Sequence, residues 1–214
     1  MSAVKAHGGK RYDQAHYEFI FRKNKYTFKN SKEGIECTVQ KTKNGKTTFD
    51  KMTNSDFTRM VDGQEIELSD KKKSGYSGSL NSVIYFATLP YKLQDPAVNT
   101  AYKGTTTIKG KNYEVLEITF DEEGGGKDHE DVYYYWINQK TKVIDYLAYN
   151  FQVNNGGVRF RSAYNSRNVD GIIFQDYINF KAPVGTPLSE LPKLFEKEEL
   201  KQLSVIATES VKKL

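Results

Sequence analysis

The sequence predicts an α+β fold: a strongly curved antiparallel sheet, a half-barrel of about ten or eleven strands, whose concave side is covered by helices. Strand-forming residues alternate through 131–180, and turn residues break them at regular intervals. Aromatic residues make up 13% of the chain, and in this segment they fall on both faces of the strands. A sheet that is apolar on both faces must be covered on both, or one face must line an interior. The pattern therefore indicates a container or a binding platform more than an enzyme.

Length, charge and cysteine content narrow the class of protein. The 214 residues fit a single domain, 1–214, with a substantial core, and no repeat or linker divides it. The formal net charge is +5, and most of the excess is Lys interspersed with Thr, Asn and acids. This predicts a solvated basic surface with a weak attraction to anionic membranes and no nucleic-acid partner. Cys37, the one cysteine, shares the strand parity of Ile35 and Val39, which predicts a core residue.

The first third of the chain predicts a short helix followed by hairpins. Ala3–His7 is helical and stops at Gly8-Gly9, a pair that suits a left-handed C-cap. From His16 onward the apolar period is two, and Asp62-Gly63 is a strong hairpin signal. The strands predicted here are His16–Arg22, Lys25–Lys29, Ile35–Lys41, Thr47–Met52, Phe57–Val61 and Glu65–Ser69.

A helix is predicted in the middle of the chain. Lys71–Ser79 is rich in Lys, Gly and Ser and predicts a loop. Ser79 can cap a helix over Leu80–Thr88, where apolar residues recur at helical spacing, and Pro90 ends it.

The second half returns to strands. Two are predicted at Thr105–Lys109 and Tyr113–Phe120, and four more in the aromatic segment 131–180. Leu188–Lys197 predicts a short helix, and the alternation in Leu203–Val211 favours a single final strand.

Few residues predict catalysis or cofactor binding. No nucleophile-elbow, phosphate-loop or zinc-protease motif occurs, and no cofactor is expected. Asp128-His129-Glu130-Asp131 is the one compact set of metal-ligand types, but it lacks a fixed ligand spacing and is interpreted as a solvated acidic loop, so no metal is expected. His7 is interpreted as a capping residue. A hydrolase that uses strand acids with His129 or His7 stays open as an alternative.

Two sets of residues predict ligand binding. Arg159 and Arg161 share one strand face, and with Arg167 they could clamp the anionic group of a ligand. The competing interpretation is an exposed strand face paired with acids. An apolar cavity for an acyl chain is the second prediction, against the alternatives of plain core and of exposed Tyr faces that bind sugars. Its candidate lining residues are Phe19, Phe21, Ile84, Leu89, Trp136, Leu147 and Phe160.

The order of elements resembles a known architecture. The residues that carry the likeness are His7-Gly8-Gly9, the helix end Phe86–Leu93, and the segments Asp131–Ile137, Asp145–Tyr149 and Gly171–Phe180. Together they resemble an uncharacterised bacterial envelope family related to the LolA/LolB-like lipoprotein carriers. The resemblance implies a half-barrel closed by helices, an apolar interior for lipid acyl chains and no catalytic residues. It also implies a cell-envelope or periplasmic location, with the export signal missing from this chain. The interior is richer in Tyr than a pure acyl-chain cavity requires.

The function predicted is therefore that of a non-enzymatic cell-envelope protein that holds a lipid or lipoprotein acyl chain within the curved sheet. The Leu80–Leu89 helix would serve as a movable lid, and peripheral membrane contact is expected. A carbohydrate-associated or scaffold protein is the first alternative, a hydrolase the second, and the cytoplasm is the alternative location.

Overall fold

The computed structural model describes residues 2–123, 129–152 and 155–214, and these residues form two seven-stranded antiparallel sheets. Sheet A has the strand order β14-β1-β2-β3-β4-β5-β6, and sheet B has the order β13-β12-β11-β10-β9-β8-β7. The strands are β1 His16–Phe21, β2 Asn24–Ser31, β3 Gly34–Lys43, β4 Lys46–Thr53, β5 Phe57–Val61, β6 Gln64–Glu65, β7 Val98–Ile108, β8 Lys111–Phe120, β9 Tyr133–Asn138, β10 Ile144–Phe151, β11 Gly157–Val169, β12 Ile172–Ala182, β13 Lys201–Ile206 and β14 Glu209–Lys213.

Three α-helices accompany the sheets: α1 Ser2–Ala6, α2 Asp70–Ala87 and α3 Leu191–Glu196. Short 3-10 turns follow α1 at Gly9–Gln14, follow α2 at Tyr91–Gln94 and precede α3 at Leu188–Glu190. Antiparallel hairpins and segregated helices confirm the α+β class. No helix in the described ranges is long and apolar enough to cross a membrane.

Most strands pair with their neighbours in sequence, but the last two, β13 and β14, do not pair with each other. The single strand predicted at Leu203–Val211 is in fact two strands, β13 and β14. β13 pairs with β12 in sheet B, whereas β14 pairs with β1 in sheet A. The chain therefore leaves one sheet and enters the other near Thr208, and its last strand lies beside its first.

The helix α2 is longer than the sequence indicated. The predicted loop Lys71–Ser79 is helical, and Ser69 stands at the N-cap. Lys is a good helix former, and a Cβ on Gly75 or Gly78 would meet no atom within 4 Å. Both glycines are exposed helix positions, where they weaken the helix without breaking it.

Two edge strands also differ from the prediction. β7 begins at Val98, seven residues before the predicted start at Thr105, and β6 contains only two residues. β7 is the edge strand of sheet B, and most of its residues before Ile108 are exposed. An exposed edge strand has no buried face, so its sequence lacks the apolar alternation that would reveal it.

Three apolar clusters form the core, and α2 contributes to two of them. Leu80 and Ile84 pack with sheet A residues in the first cluster, and the C-terminal end of α2 packs on sheet B in the second. The third cluster lies between sheet B and the segment 188–195. Alternate residues of β9 and β10 belong to the second and third clusters, so sheet B is covered on both faces.

The N-terminal helix is tied to sheet B by its C-terminal end. His7 O accepts a hydrogen bond from Ile173 N at 3.0 Å, and His7 Nε2 accepts one from Ile144 N at 3.2 Å. Gly8 follows with φ 138°, and a Cβ there would approach Ile172 Cγ1 to 3.0 Å. Glycine is required because the backbone must pass close to β12 in a conformation that L side chains rarely adopt.

Candidate functional site

The face of sheet B that α2 covers is aromatic over three neighbouring strands. Tyr133 stacks on Tyr149 with a centroid distance of 5.1 Å, and its ring lies parallel to that of Tyr135 at 6.3 Å. Phe120 meets Tyr133 edge-on at 5.7 Å. We call these four residues, Phe120, Tyr133, Tyr135 and Tyr149, the aromatic face. They meet because alternate residues of a strand share a face and because the register of β8, β9 and β10 brings them side by side.

Two residues at the end of α2 cover the aromatic face. Phe86 lies 6.4 Å from Tyr133 and 5.6 Å from Tyr149 between ring centroids. Tyr85 Oη lies 3.2 Å from Tyr135 Oη, so the two hydroxyls share a hydrogen bond. Tyr85, Phe86, Phe120 and Tyr149 are only half-buried. This apolar contact between helix and sheet therefore borders on solvent.

Tyr85 and Tyr135, which share a hydrogen bond, remain neutral. Burial raises the pKa of Tyr85 to about 12, and it raises the pKa of the fully buried Tyr135 well above its usual range. Both phenols therefore keep their protons at physiological pH. They act through ring packing and hydrogen bonds, and neither is suited to accept or release a proton in catalysis.

Arg161 is the charged residue of the site. It lies on β11 opposite Leu147, whose side chain belongs to the cluster under α2. Its guanidinium carbon lies 3.8 Å from the Phe86 ring centroid and 5.3 Å from that of Tyr149, and Nη2 donates to Tyr149 Oη at 3.0 Å. The residue is only 7% exposed, and Nε is buried without a hydrogen-bond partner.

The seven residues predicted to line one cavity fall into three places. Phe19 and Ile84 are buried in the cluster at sheet A, where the half-buried Phe21 packs against them. Leu89 and Leu147 belong to the cluster under α2, next to the aromatic face. The structure brings these two groups to opposite flanks of α2.

Trp136 and Phe160 are separated from the rest. They lie on the opposite face of sheet B, 5.7 Å apart between ring centroids, in the cluster covered by α3. Trp136 alternates with Tyr135 along β9, so a side chain one residue away from the aromatic face points to the other side of the sheet. Parity within one strand cannot reveal which face meets which helix.

Sequence reasoning missed Tyr85 and Phe86. The apolar spacing in α2 singled out Ile84, which contacts sheet A, but α2 packs against both sheets. The sequence contained a signal for this second contact. Two aromatic residues follow Ile84 on a helix that already has a complete apolar face, which indicates that a second face of the helix is also covered.

The three arginines of the predicted anion clamp have different partners. Arg167 forms an ion pair with Asp176 at 3.1 Å and donates to Thr208. Arg159 stacks on Phe151 at 4.8 Å and donates to a backbone carbonyl. Arg161 contacts Phe86 and Tyr149, whereas Arg159, directly opposite Tyr149 on β11, stacks on Phe151 at the border of the aromatic face, and Arg167 pairs with an acid elsewhere.

The residues considered for catalysis have structural partners. His7 is buried and accepts a backbone hydrogen bond, and burial lowers its pKa to about 4. Burial raises the pKa of the Cys37 thiol to about 12. Asp128 of the acidic segment lies outside the described residues. Across 2–123, 129–152 and 155–214, no group of three or more His, Cys, Asp or Glu is arranged to hold a metal ion.

The tyrosines do not form an exposed platform for sugars. Of the 15 Tyr, Tyr102 at 63% and Tyr164 at 38% are the exposed ones. They lie on β7 and β11, which three other strands of sheet B separate. The two exposed rings are therefore not neighbours on sheet B.

Two surface cavities lie away from the aromatic face. One, of about 340 Å³, is bordered by β5, the segment 65–70 and the start of α2. The other, of about 500 Å³, lies at the start of β11 and the end of β12 beside Arg159, Lys181 and Lys201. Residues of the aromatic face line neither cavity, which is consistent with α2 being closed upon it.

A comparison with known protein families assigns the chain to one of them. Residues 5–208 match a family described as a family of unknown function, DUF6503. The chain belongs to this family. No curated protein matches it.

Solved structures show which fold this DUF6503 member has. A LolA superfamily protein from Nitrosomonas europaea is similar with a TM-score of 0.54 and 12% identity, over 99% of this chain and 91% of that protein. A DUF1329 family protein from Desulfovibrio piger has a TM-score of 0.49 and 12% identity, over 94% and 83% of the two chains. The lipoprotein LppX of Mycobacterium tuberculosis has a TM-score of 0.30 and 11% identity, over 72% and 88%. The first match confirms the predicted resemblance to the LolA superfamily in fold.

Proposed function

We propose that this DUF6503 protein is a non-enzymatic binding protein that holds a lipid, a lipoprotein acyl chain or another hydrophobic ligand between α2 and the aromatic face. The observation that carries the proposal is the contact of the half-buried Tyr85 and Phe86 with the rings of sheet B. The LolA-superfamily fold supports it. A cell-envelope location follows from the same resemblance.

The contact between α2 and the aromatic face is one that an apolar ligand can replace. It consists mainly of ring packing, and the Tyr85–Tyr135 hydroxyl pair is its one hydrogen bond among the described residues. An acyl chain that enters would cover the same rings that α2 covers in the closed state. Burial of apolar surface gains about 25 cal/mol per Å², so an acyl chain offsets the loss of the helix contact. The middle of α2 keeps its packing on sheet A through Leu80.

The start of α2 supports contact with a membrane surface. Lys71 and Lys72 are exposed there, and Lys73 pairs with the exposed Asp56 at 3.4 Å. A Lys near an anionic bilayer contributes about 1 kcal/mol of attraction. These residues would bring the protein to a membrane from which a ligand is taken, without any inserted segment.

Native mass spectrometry of protein purified without detergent tests whether a ligand is present, and displacement of the uncharged probe N-phenyl-1-naphthylamine tests uptake. We expect Phe86→Ala to tighten binding of a long-chain alcohol several-fold, because the ring covers Tyr133 and Tyr149 in the closed state and the ligand must displace it. Phe195→Ala is the matched control: this half-buried Phe on α3 contacts three rings and Lys109 on the opposite face.

The control separates binding from stability. Both substitutions should lower the free energy of unfolding by about 1–3 kcal/mol, but Phe195→Ala should leave probe and alcohol affinities within about twofold. If the protein takes up neither probe nor alcohol, or if both variants bind alike, the proposal is wrong.

A further inference from the structure

Arg161 is a buried cation, and its charge has no acidic partner among residues 2–123, 129–152 and 155–214. Among the residues that the structure describes, no Asp or Glu lies within ion-pair distance of its guanidinium, and its hydrogen-bond partner is the hydroxyl of Tyr149. Burial of a charge costs several kcal/mol unless a counter-charge or a set of hydrogen bonds compensates for it. The Phe86 and Tyr149 rings compensate for part of that cost, and Nε stays unpaired.

Two other partly buried arginines show how this chain usually compensates for such a charge. Arg59 binds the buried Asp50 through two hydrogen bonds of 2.6 and 2.7 Å. Arg167 binds the buried Asp176. The residue-level exposure of Arg161 is 7%, while the side chains of Arg59 and Arg167 are 12% and 25% exposed. The most buried of the three is the one without a carboxylate.

A second polar atom beside Arg161 is also unsatisfied. Asn179 lies directly opposite Arg161 on β12, and its Oδ1 is buried without a hydrogen-bond partner. Its amide nitrogen donates to Ser204 Oγ at a long distance of 3.4 Å. Residues directly opposite on antiparallel strands have Cβ atoms about 5 Å apart. The closed state therefore leaves one acceptor, Asn179 Oδ1, and one donor, Arg161 Nε, without partners at the edge of the aromatic face, and of the two the donor suits an anion.

We propose that Arg161 binds the anionic head group, a carboxylate or phosphate, of the amphiphile whose chain occupies the aromatic face. The inference rests on the proposed function, and it adds the chemical class of the ligand. Phe86 covers the guanidinium in the closed state and contacts the aromatic face with the same ring. When α2 opens, one displacement exposes both the apolar rings and the cation. The guanidinium fork can then bind two oxygens of the head group side by side.

Matched ligands of one chain length test the assignment. Dodecanoate, dodecyl phosphate and 1-dodecanol compete with N-phenyl-1-naphthylamine for the wild type, Arg161→Gln and Arg159→Gln. Arg159 is the matched control, since it lies on the same strand face opposite Tyr149, loses the same charge and stacks on Phe151, whereas Arg161 stacks on Phe86 of α2. Inorganic phosphate and acetate at millimolar concentration show whether a free anion without a chain is enough.

We expect Arg161→Gln to weaken binding of dodecanoate and dodecyl phosphate tenfold or more, the order of effect of a charge-assisted hydrogen bond. The affinity of Arg161→Gln for dodecanol should differ from that of the wild type by less than threefold. The affinities of Arg159→Gln for all three ligands should also stay within threefold of the wild type. Arg161→Lys should recover part of the anion affinity. Displacement by phosphate or acetate alone would mean that a free anion is the ligand.

The failures of the two proposals are distinguishable. If none of the three amphiphiles binds the wild type, the proposed function itself is wrong. If acid and alcohol bind equally and Arg161→Gln weakens both alike, the hydrophobic site stands and the head-group role of Arg161 is overturned. If Arg159→Gln, and not Arg161→Gln, removes the preference for anions, the head group lies at the start of β11 instead.

Discussion

His7 shows at the residue scale how burial decides protonation. The side chain is 1% exposed, and burial, opposed by the nearby Asp145 and a backbone hydrogen bond, lowers its pKa to about 4. The neutral ring accepts a hydrogen bond from Ile144 N, which a proton on Nε2 would abolish. Its contribution to stability is therefore complete above the unfolded pKa of 6.5 and is lost as the pH falls through about 4.

This predicts a pH dependence that a single substitution removes. Gln at position 7 can accept the same hydrogen bond without titrating. Between pH 7 and pH 3.5 the free energy of unfolding of the wild type should fall by about 3 kcal/mol more than that of His7→Gln, because each pKa unit is about 1.4 kcal/mol. Urea denaturation across this pH range measures both free energies of unfolding. If the two proteins lose the same free energy of unfolding between pH 7 and pH 3.5, the prediction is wrong.

At the scale of the element, α2 is a helix whose first half has little tertiary support. Leu80 and Ile84 are its buried residues, and Asp70–Ser79 contains none. Lys-rich sequence and two glycines made this part resemble a loop. A helix forms because three Lys favour it, Ser69 precedes the first turn, and Tyr76 packs on Phe57 and Arg59 of β5.

Two glycines of similar surroundings should respond oppositely to Ala. Gly75 has helical backbone, and a Cβ there meets nothing within 4 Å, so Gly75→Ala should raise the free energy of unfolding by about 0.5–1 kcal/mol. Gly63 has equal space but φ 82°, so Gly63→Ala should lower it by about 1–2 kcal/mol. Urea midpoints measure both, and shifts of the same sign would argue against helical backbone at Gly75.

At the scale of the whole molecule, Asp176 holds the point where the chain passes from sheet B to sheet A. The carboxylate is 3% exposed at the residue level and accepts hydrogen bonds from Asn165, Arg167 and both the backbone N and the hydroxyl of Thr208. Thr208 lies between β13 and β14. One buried ion pair thus fixes the crossing that places β14 beside β1.

Asp176→Asn should therefore be strongly destabilising, by about 3 kcal/mol, since it leaves Arg167 without its counter-charge. Glu36→Gln is the control, because Glu36 forms an ion pair with Lys51 in which both side chains are more than 40% exposed. An exposed pair contributes about 0.5 kcal/mol or less. Chemical denaturation compares the two, and equal effects would show that the crossing does not depend on Asp176.

The sequence by itself determined the α+β class, most of the strands, the aromatic character of both faces of sheet B and the likeness to the LolA superfamily. These follow from local periodicity and turn chemistry, which each segment carries within itself. The existence of the helix at Leu80–Thr88 was determined in the same way, although its start was not.

Tertiary structure alone decided which faces meet. It placed Trp136 and Phe160 under α3 and Phe86 on the aromatic face. It split the predicted last strand between two sheets. It paired Arg167 with the carboxylate of Asp176, whereas Arg161 has no carboxylate partner among the described residues. The physical reason is that register, bulges and strand order join residues far apart in sequence. In β11 a bulge between Tyr164 and Arg167 shifts the register, so Arg161 and Arg167 have different surroundings although they share strand parity.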